Sequence, residues 1–218
     1  MTETTLTISS KNYSSWSLRG WLLCRMAGLK FAEEVVPADD PTNRAELLLL
    51  SPSILVPCLR HQGIWIWDTL AIAEYLNEVR PKAGLLPPDR VARAHCRSIC
   101  GEMHSGFTNL RSALPMNLKA HHPDFKVWAG AQADIDRITT IWRECFEAYH
   151  GPYLFGKLTM ADAMYAPVVT RFLNVPPSRS STSHASGWAA HPRKWQVTPR
   201  ACASGRRGRP RRNWARLR

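Results

Sequence analysis

The sequence predicts a mixed α/β unit followed by an all-helical unit, and three observations support this prediction. Across residues 1–80, short runs that alternate apolar and polar residues are separated by segments with helical periodicity. Residues 81–90 are rich in proline and glycine, which is typical of a linker. From residue 91 to residue 173 only the helical period recurs. We therefore expect two folded domains, at residues 1–80 and 91–173, joined by this linker.

The first domain is predicted to have the element order β-α-β-α-β-β-α. β-branched residues and a two-residue alternation indicate its strands. Prolines, glycines and capping residues mark the ends of its helices. The predicted elements are a strand at residues 5–10, a helix ending at Gly28, a strand at 31–37, a helix from residue 41 to Ser51, two strands around a turn at 61–63, and a helix that begins at Asp68 or Thr69 and stops at Pro81.

The second domain is predicted to contain three helices. The first two run from about residue 88 to 119 and from about 124 to 149, and the third opens near Thr159. Thr159 and Asp162 have the spacing of a capping box, in which the hydroxyl caps the first turn and the acid reaches back. Pro167 lies inside the third helix, and we expect it to kink that helix.

Charge is unevenly distributed along the chain. The 218 residues include 29 Lys and Arg against 17 Asp and Glu, which gives a formal net charge of +12. Residues 174–218 hold eleven of the basic residues and none of the acidic ones, so residues 1–173 have 18 basic and 17 acidic side chains. The body of the protein is therefore nearly neutral, and only the tail has the charge of a nucleic-acid-binding segment.

The tail, residues 174–218, shows neither helical nor strand periodicity, and residues with G/C-rich codons (Arg, Pro, Ala, Ser and Gly) dominate it. One hypothesis is a frameshifted reading of a G/C-rich gene that begins near Leu173-Asn174. The alternative is a disordered basic arm that binds nucleic acid through residues 205–218. We favour the frameshift, because a selected arm has no reason to begin inside core helices. In the alternative, three aromatic residues would stack on bases: Trp188, Trp195 and Trp214.

Cysteine usage and hydropathy indicate a cytoplasmic protein. The six cysteines form no CxxC pair, and the first residues lack the features of a signal peptide. No apolar run approaches membrane-spanning length. Cys96, Cys100 and His104 would share one helix face, but a single helix cannot surround a tetrahedral ion without a fourth ligand. We therefore predict no metal site.

Two adjacent serines precede the first predicted helix, in the segment "NYSSWSLRGWLLCRMAGL" (residues 12–29). The start of a helix has unpaired N–H groups and a partial positive charge. A serine hydroxyl at that point can cap the helix, or it can donate a hydrogen bond to an anion such as a thiolate. From these residues alone, Ser14 and Ser15 are either helix caps or catalytic hydroxyls.

Four motifs in one order resemble the cytosolic glutathione transferases of the serine type, in particular bacterial members similar to the zeta, or maleylacetoacetate-isomerase, branch. The segment "YSSWSLRGWLL" resembles their active-site segment, "LVPCL" their cis-proline loop, "WDTLAIAEYL" their Glu/Gln-Ser-x-Ala-Ile-x-x-Tyr-Leu signature, and "YLFGKLTMADAMYAP" their capping-box helix. The resemblance covers residues 5–173. It implies a thioredoxin-like N-terminal domain that binds glutathione, a homodimer, and a helical domain with two or three further helices where the tail stands. The helical domain is therefore expected to be incomplete.

The resemblance also implies roles for individual residues. Ser14, with Ser15 as the neighbouring candidate, would stabilise the thiolate of glutathione, which is the co-substrate. A cis peptide at Val56-Pro57 would hold the cysteinyl unit, while Asp68 and Thr69 would bind the γ-glutamyl ammonium and carboxylate. Without the resemblance, Pro57 is interpreted as a strand-entry residue and Asp68 or Thr69 as a helix cap. The residues with implied glutathione contacts are Arg19, Val56, Pro57, Asp68 and Thr69.

The sequence departs from the family pattern at two places. Ile54 and Leu55 stand where the family often has a lysine for the glycyl carboxylate, so Lys11, Arg19 or His61 is left for that contact. Trp16 replaces the cysteine that follows the two serines in the zeta-type, maleylacetoacetate-isomerase branch. Glutathione-dependent isomerisation is therefore less favoured.

The second-substrate pocket is expected where the first long helix of the second domain passes the serines. His104, Phe107 and Arg111 are its candidate lining, with Arg111 as the anion-binding group; ordinary packing between the domains is the alternative. Gly106 in a helix interior costs about 1 kcal/mol relative to Ala, which indicates close backbone approach or a tolerated defect.

The expected function is transfer of glutathione to a small electrophile, or isomerisation or reduction with it. A non-catalytic binding protein on the same fold is the alternative.

Overall fold

Four short strands form a mixed sheet in the N-terminal half of the chain. A computed structural model describes residues 4–36, 55–119 and 126–174. The strands are β1 (Thr5–Ile8), β2 (Ala32–Val35), β3 (Cys58–His61) and β4 (Ile64–Trp67). Their order in the sheet is β2-β1-β3-β4, with β1 parallel to β2 and the other two pairs antiparallel.

Six α-helices accompany the sheet in the described part of the chain. Helix α1 packs against both α2 and α6, so it lies between the sheet half and the helical half. The sheet with α1 and α2 is the predicted thioredoxin-like arrangement, and the predicted fold class is confirmed. The predicted helix that begins at residue 41 lies outside the described residues, as does the tail from residue 175. The helices are α1 (Ser15–Met26), α2 (Thr69–Val79), α3 (Arg90–Ser105), α4 (Thr108–Ala113), α5 (Ala129–Tyr149) and α6 (Met160–Asn174), with a 3-10 turn at Pro81–Ala83.

The single long helix predicted from residue 88 to 119 is wrong, because the chain breaks it after Ser105. Phe107 adopts φ 59°, which is left-handed and ends the helical path. The Gly106 N–H closes α3 on the Glu102 carbonyl at 2.8 Å. A Cβ atom on Gly106 would lie 2.7 Å from the same carbonyl oxygen, so this position requires glycine. The apolar periodicity continues across the break, with Leu110 and Phe107 both buried, and so the sequence pattern concealed it.

Helix α5 begins later than the sequence pattern indicates. Its first residue is Ala129, whereas the prediction placed the start near residue 124. Trp128 is the N-cap and makes no side-chain capping hydrogen bond, so the sequence has no capping residue that marks the observed start of this helix. The strands at residues 5–10 and 31–37 are likewise each shorter than predicted, at four residues.

The predicted capping box at the start of α6 is present in altered form. The carboxylate of Asp162 accepts the Thr159 N–H at 2.7 Å, as predicted, and also the Leu154 N–H at 3.1 Å. The Thr159 hydroxyl donates to this carboxylate instead of capping the first turn. Burial raises the pKa of Asp162 to about 6, although these hydrogen bonds oppose the shift. Asp162 thus ties the preceding loop to the helix.

One hydrophobic core runs through both halves of the molecule. It includes Leu6 and Leu59 of the sheet, Leu76 of α2, and Met103 and Met164 of the helical half. Because the halves share this core, side chains from one half can be held in fixed positions against the other. No helix in the described ranges combines the length and apolar character that crossing a membrane requires.

Candidate active site

The start of α1 presents the two serines. Ser14 is the N-cap, and its Oγ accepts the Ser17 N–H at 3.2 Å. A hydroxyl that accepts this bond can still donate its own proton, so capping and thiolate binding are compatible. Ser15 is the first helical residue and is nearly buried. The loop before the serines is tied to the helical half, because the Asn12 side chain donates to Asn117 Oδ1 at 3.1 Å.

The Val56-Pro57 loop is packed directly against α1. The peptide bond between these residues is cis, as the family resemblance implied. Gly20, one and a half turns into α1, leaves room for the proline ring: a Cβ atom on Gly20 would lie 2.6 Å from both Cβ and Cγ of Pro57. The loop leads straight into β3 and is therefore held between helix and sheet.

The start of α2 forms the third part of the site. Asp68 Oδ1 accepts the Leu70 N–H at 2.8 Å and the Ala71 N–H at 3.4 Å, so Asp68 is a helix cap. Its backbone has φ 74° and ψ 138°, a conformation that is rare for a residue with a side chain and that clusters at functional sites. The Thr69 hydroxyl is buried and has no hydrogen-bond partner among the described residues. A buried polar atom in this condition is suited to receive a ligand or a water molecule.

A chain of side-chain contacts connects the starts of α1 and α2. His104, in the last turn of α3, places Nε2 3.1 Å from Asp68 Oδ2. Its ring also lies beside Trp16, with the two ring centroids 5.0 Å apart. Trp16 directly follows Ser15 in the sequence. The helical half therefore closes over the site and brings both helix starts into one cluster.

Comparisons with known proteins identify the family. A sequence model described as "Glutathione S-transferase, N-terminal domain" matches residues 13–79. A rat protein named maleylacetoacetate isomerase is 34% identical over 161 residues, which is 71% of this chain and 71% of the relative. The chain belongs to the glutathione S-transferase family. A mouse protein of the same name is 33% identical over 161 residues, again 71% of each chain.

Solved glutathione transferases share the fold. The structure of glutathione transferase Omega 3C from Trametes versicolor matches with a TM-score of 0.66 and 19% identity, over 93% of this chain and 88% of that one. A Burkholderia glutathione transferase homologue, solved with bound glutathione, matches with a TM-score of 0.62 and 23% identity, over 91% and 99% of the two chains. These structures confirm the fold, while the sequence relatives confirm the predicted family and enzyme class, a glutathione S-transferase.

The relatives favour the branch of the family that Trp16 argued against. Both rodent relatives, and a Caenorhabditis elegans protein that is 26% identical over 157 residues, bear the isomerase name or "probable maleylacetoacetate isomerase". The nematode match covers 71% of this chain and 72% of the relative. The predicted resemblance of this glutathione S-transferase to the zeta-type branch is therefore confirmed at the level of sequence similarity, although Trp16 stands where that branch has a cysteine.

Arg19, which the resemblance implies as a glutathione contact, is buried against the helical half. Its side chain is 1% exposed, and Nε donates to the Met164 carbonyl at 2.7 Å. Its guanidinium lies 4.6 Å from the centre of the Trp16 ring. Burial lowers the pKa of Arg19 to about 9, and repulsion from Arg171 and Arg111 adds to the shift. Arg19 therefore connects α1 to α6, while its Nη1 is buried and has no hydrogen-bond partner among the described residues.

The other two candidates for the glycyl carboxylate also have protein partners. Lys11 Nζ lies 2.6 Å from Glu33 Oε2 in an ion pair. His61 is buried, and its Nδ1 lies 2.7 Å from the Tyr75 hydroxyl. Burial lowers the pKa of His61, which disfavours the cation that a carboxylate would need. Each of the three candidates therefore already has at least one protein partner.

Two of the three predicted pocket residues converge on Trp16. The Arg111 guanidinium lies 5.1 Å from the Trp16 ring centre, and its Nη2 donates to the carbonyls of Met103 and His104. Burial lowers the pKa of Arg111, against the opposing effect of Asp134. Phe107, by contrast, is buried in the hydrophobic core.

The two cysteines and the histidine spaced along α3 lie in different surroundings. Cys96 and Cys100 are buried free thiols, while His104 contacts Asp68. Burial raises the pKa of Cys100, so this thiol is uncharged. Within the described ranges, no group of three or more His, Cys, Asp or Glu side chains is arranged to hold a metal ion. The His104–Asp68 contact was missed from the sequence, because 36 positions separate the two residues and no local pattern joins them.

Proposed function

We propose that this glutathione S-transferase binds glutathione at the shared mouth of α1 and α2 and activates its thiol with Ser14. The observation that carries the proposal is the contact chain through Trp16, His104 and Asp68, which brings the two helix starts together. Ser14 is the thiolate-stabilising residue of the proposal, and Ser15 is the alternative to be tested against it.

The position of Ser14 suits thiolate stabilisation. A free thiol has a pKa of roughly 8.5, so most of it is protonated at neutral pH. The Ser14 hydroxyl is free to donate, since its capping bond uses it only as an acceptor. The partial positive charge at the start of α1 favours an anion at the same place. Both effects lower the pKa of a bound thiol.

The remaining contacts follow from the chemistry of the peptide. The γ-glutamyl end has an α-ammonium, which suits the Asp68 carboxylate, and an α-carboxylate, which suits the buried Thr69 hydroxyl at the start of α2. The backbone of Val56, turned by the cis bond to Pro57, is available to the cysteinyl unit.

The proposed reaction begins with attack of the thiolate on a small electrophile. On an activated alkene, a sulfur–carbon bond forms and the electron pair of the double bond moves to the adjacent carbonyl oxygen. Protonation at carbon then gives a conjugate. Rotation followed by expulsion of the thiolate gives a geometric isomer, which is the outcome that the relatives' name describes. Reduction would instead consume two glutathiones and release their disulfide.

The first test is a thermal melt with and without glutathione. Ligand at about 100 times its dissociation constant adds roughly 2.7 kcal/mol to the stability of a fold that binds it. A melt that ignores glutathione would contradict the proposal. With candidate substrates, counting free thiols separates the reactions: conjugation consumes one thiol per product, isomerisation consumes none, and reduction consumes two.

The second test measures the pKa of bound glutathione from the ultraviolet absorbance of its thiolate across a pH series. Ser14→Ala should raise this pKa and slow turnover by about 10²-fold or more. Ser14→Asp keeps a capping oxygen but removes the donor, so it should fail in the same way without losing the cap. Asp89→Ala is the matched control, because Asp89 caps α3 through the Ala92 N–H at 2.8 Å and lies outside the proposed site. If the pKa of bound glutathione in Ser14→Ala equals the wild-type value and that in Ser15→Ala is raised, the role belongs to Ser15.

We also propose a cytoplasmic homodimer, as the family resemblance implies. Light scattering on the purified chain measures its mass directly. A monomer at micromolar concentration would contradict this part of the proposal without affecting the assignment of Ser14.

A further inference from the structure

Among the described hydrogen bonds and ion pairs, one contact links a side chain of the helical half to a residue of the proposed glutathione site. That residue is Asp68. Its two carboxylate oxygens have separate partners. Oδ1 accepts the Leu70 and Ala71 N–H groups of α2. Oδ2 faces Nε2 of His104 at 3.1 Å. The carboxylate is therefore held from both sides, by its own helix and by α3.

The surroundings of His104 fix which ring nitrogen is the donor. A neutral imidazole has one N–H, and the contact with a carboxylate requires it on Nε2. Nδ1 is buried and has no hydrogen-bond partner among the described residues. Trp16 packs beside the ring, and the His104 carbonyl accepts from Arg111 Nη2 at 3.0 Å. The ring is thus restrained by its neighbours, with only Nε2 engaged at the site.

We propose that His104 is a positioning residue for glutathione: its Nε2–H holds Oδ2 of Asp68 in the orientation that receives the γ-glutamyl ammonium. This inference rests on the proposed function, since it assumes that Asp68 binds that group. It assigns to the helical half a part in binding the peptide, in addition to lining the second-substrate pocket. His104 itself does not touch the reacting sulfur.

The proposal follows from the geometry of the carboxylate. With only the two amides on Oδ1, one of them at 3.4 Å, the carboxylate could still rotate by a limited angle about its Cβ–Cγ bond and shift Oδ2. The bond from His104 removes this freedom while leaving Oδ2 a further lone pair for the ammonium. Preorganisation of this kind raises affinity because less freedom is lost on binding.

The test compares glutathione with glutaryl-cysteinyl-glycine, which lacks only the α-amino group. By titration calorimetry the wild type should bind glutathione about tenfold more tightly than this analogue, since the lost contact is a charge-assisted hydrogen bond. His104→Ala should weaken glutathione binding and leave the analogue nearly unchanged, so the tenfold preference largely disappears. His104→Gln places an N–H near the position of Nε2 and should restore most of the preference.

Other outcomes overturn the proposal. If His104→Ala keeps the preference, or loses affinity for both ligands equally, His104 has only a structural role. If His104→Gln loses the preference for glutathione as completely as His104→Ala does, the N–H donor at the Nε2 position is not the cause of that preference. Asp68→Asn covers the case in which His104→Ala does not fold: a retained tenfold preference there rules out the carboxylate contact itself. Wild type that binds neither ligand contradicts the proposed function as well. Wild type that binds both equally contradicts this inference and the Asp68–ammonium contact on which it rests, but not glutathione binding at the site.

Discussion

Gly20 and Pro57 are in such close contact that neither residue tolerates a larger neighbour. A Cβ atom on Gly20 would lie 2.6 Å from two carbons of the proline ring. Helix α1 and the cis-proline loop are therefore fitted to each other, and the loop's position depends on a glycine that the helix itself does not need.

Gly20→Ala should lower the free energy of unfolding by about 1–3 kcal/mol, because overpacking of the loop outweighs the gain in helix propensity. It should also weaken glutathione binding, since the Val56-Pro57 backbone is displaced. Urea unfolding and titration calorimetry measure the two effects. Gly101→Ala is the control: Gly101 lies in the interior of α3 with nothing within 4 Å of its Cβ position, so this change should stabilise by up to about 1 kcal/mol. Equal behaviour of the two variants would show that the contact with Pro57 is unimportant.

Arg19→Lys should destabilise the protein by about 2 kcal/mol. Lysine can neither stack flat on Trp16 nor donate in the same plane to the Met164 carbonyl, so both contacts are weakened in a buried place. Arg25→Lys is the matched control, since Arg25 also lies over an aromatic ring, at 5.2 Å from Trp21, but is exposed. Its effect should stay within about 0.5 kcal/mol. Loss of glutathione binding by Arg19→Lys without loss of stability would instead support a direct ligand contact.

Asp162 should make stability fall as the pH rises from about 4 to about 6. Its pKa in the folded protein, about 6, lies above the ordinary carboxyl value of 3.8. The folded state therefore binds a proton more tightly than the unfolded state, and this advantage is complete below the unfolded pKa and lost above the folded one. Its size is roughly 2–3 kcal/mol. Denaturant unfolding at several pH values should show this slope in the wild type relative to Asp162→Asn, which cannot titrate. Parallel pH profiles of the two proteins would contradict the assignment.

The frameshift hypothesis for residues 174–218 makes a prediction at the level of the gene. A one-base shift between the codons for Arg171 and Val175 should restore an amphipathic helical sequence that completes the helical domain. Resequencing this stretch decides the matter. Failure of every single-base shift to give such a sequence would leave the basic-arm interpretation, whose nucleic-acid binding should weaken steeply with salt.

The sequence determined the elements whose signals are local. The strands around the turn at residues 61–63, the start of α1 at Ser14 and the cap of α2 at Asp68 depend on alternation and on capping residues within a few positions. Such features are decided by short-range sterics and hydrogen bonds, and so they can be recognised without knowledge of the rest of the chain. The motif spacing was equally sufficient to indicate the family.

Only the tertiary structure decided where the long polar side chains are directed. Arg19 and His104 each lie on a helix whose periodicity fixes a face but not the neighbour on the other side. Packing of α1 against α6 buried Arg19, and the end of α3 at Ser105 placed His104 beside Asp68. The first contact spans 145 positions of the sequence and the second spans 36, so no local pattern encodes either one. Both depend on how the shared core brings the two halves together.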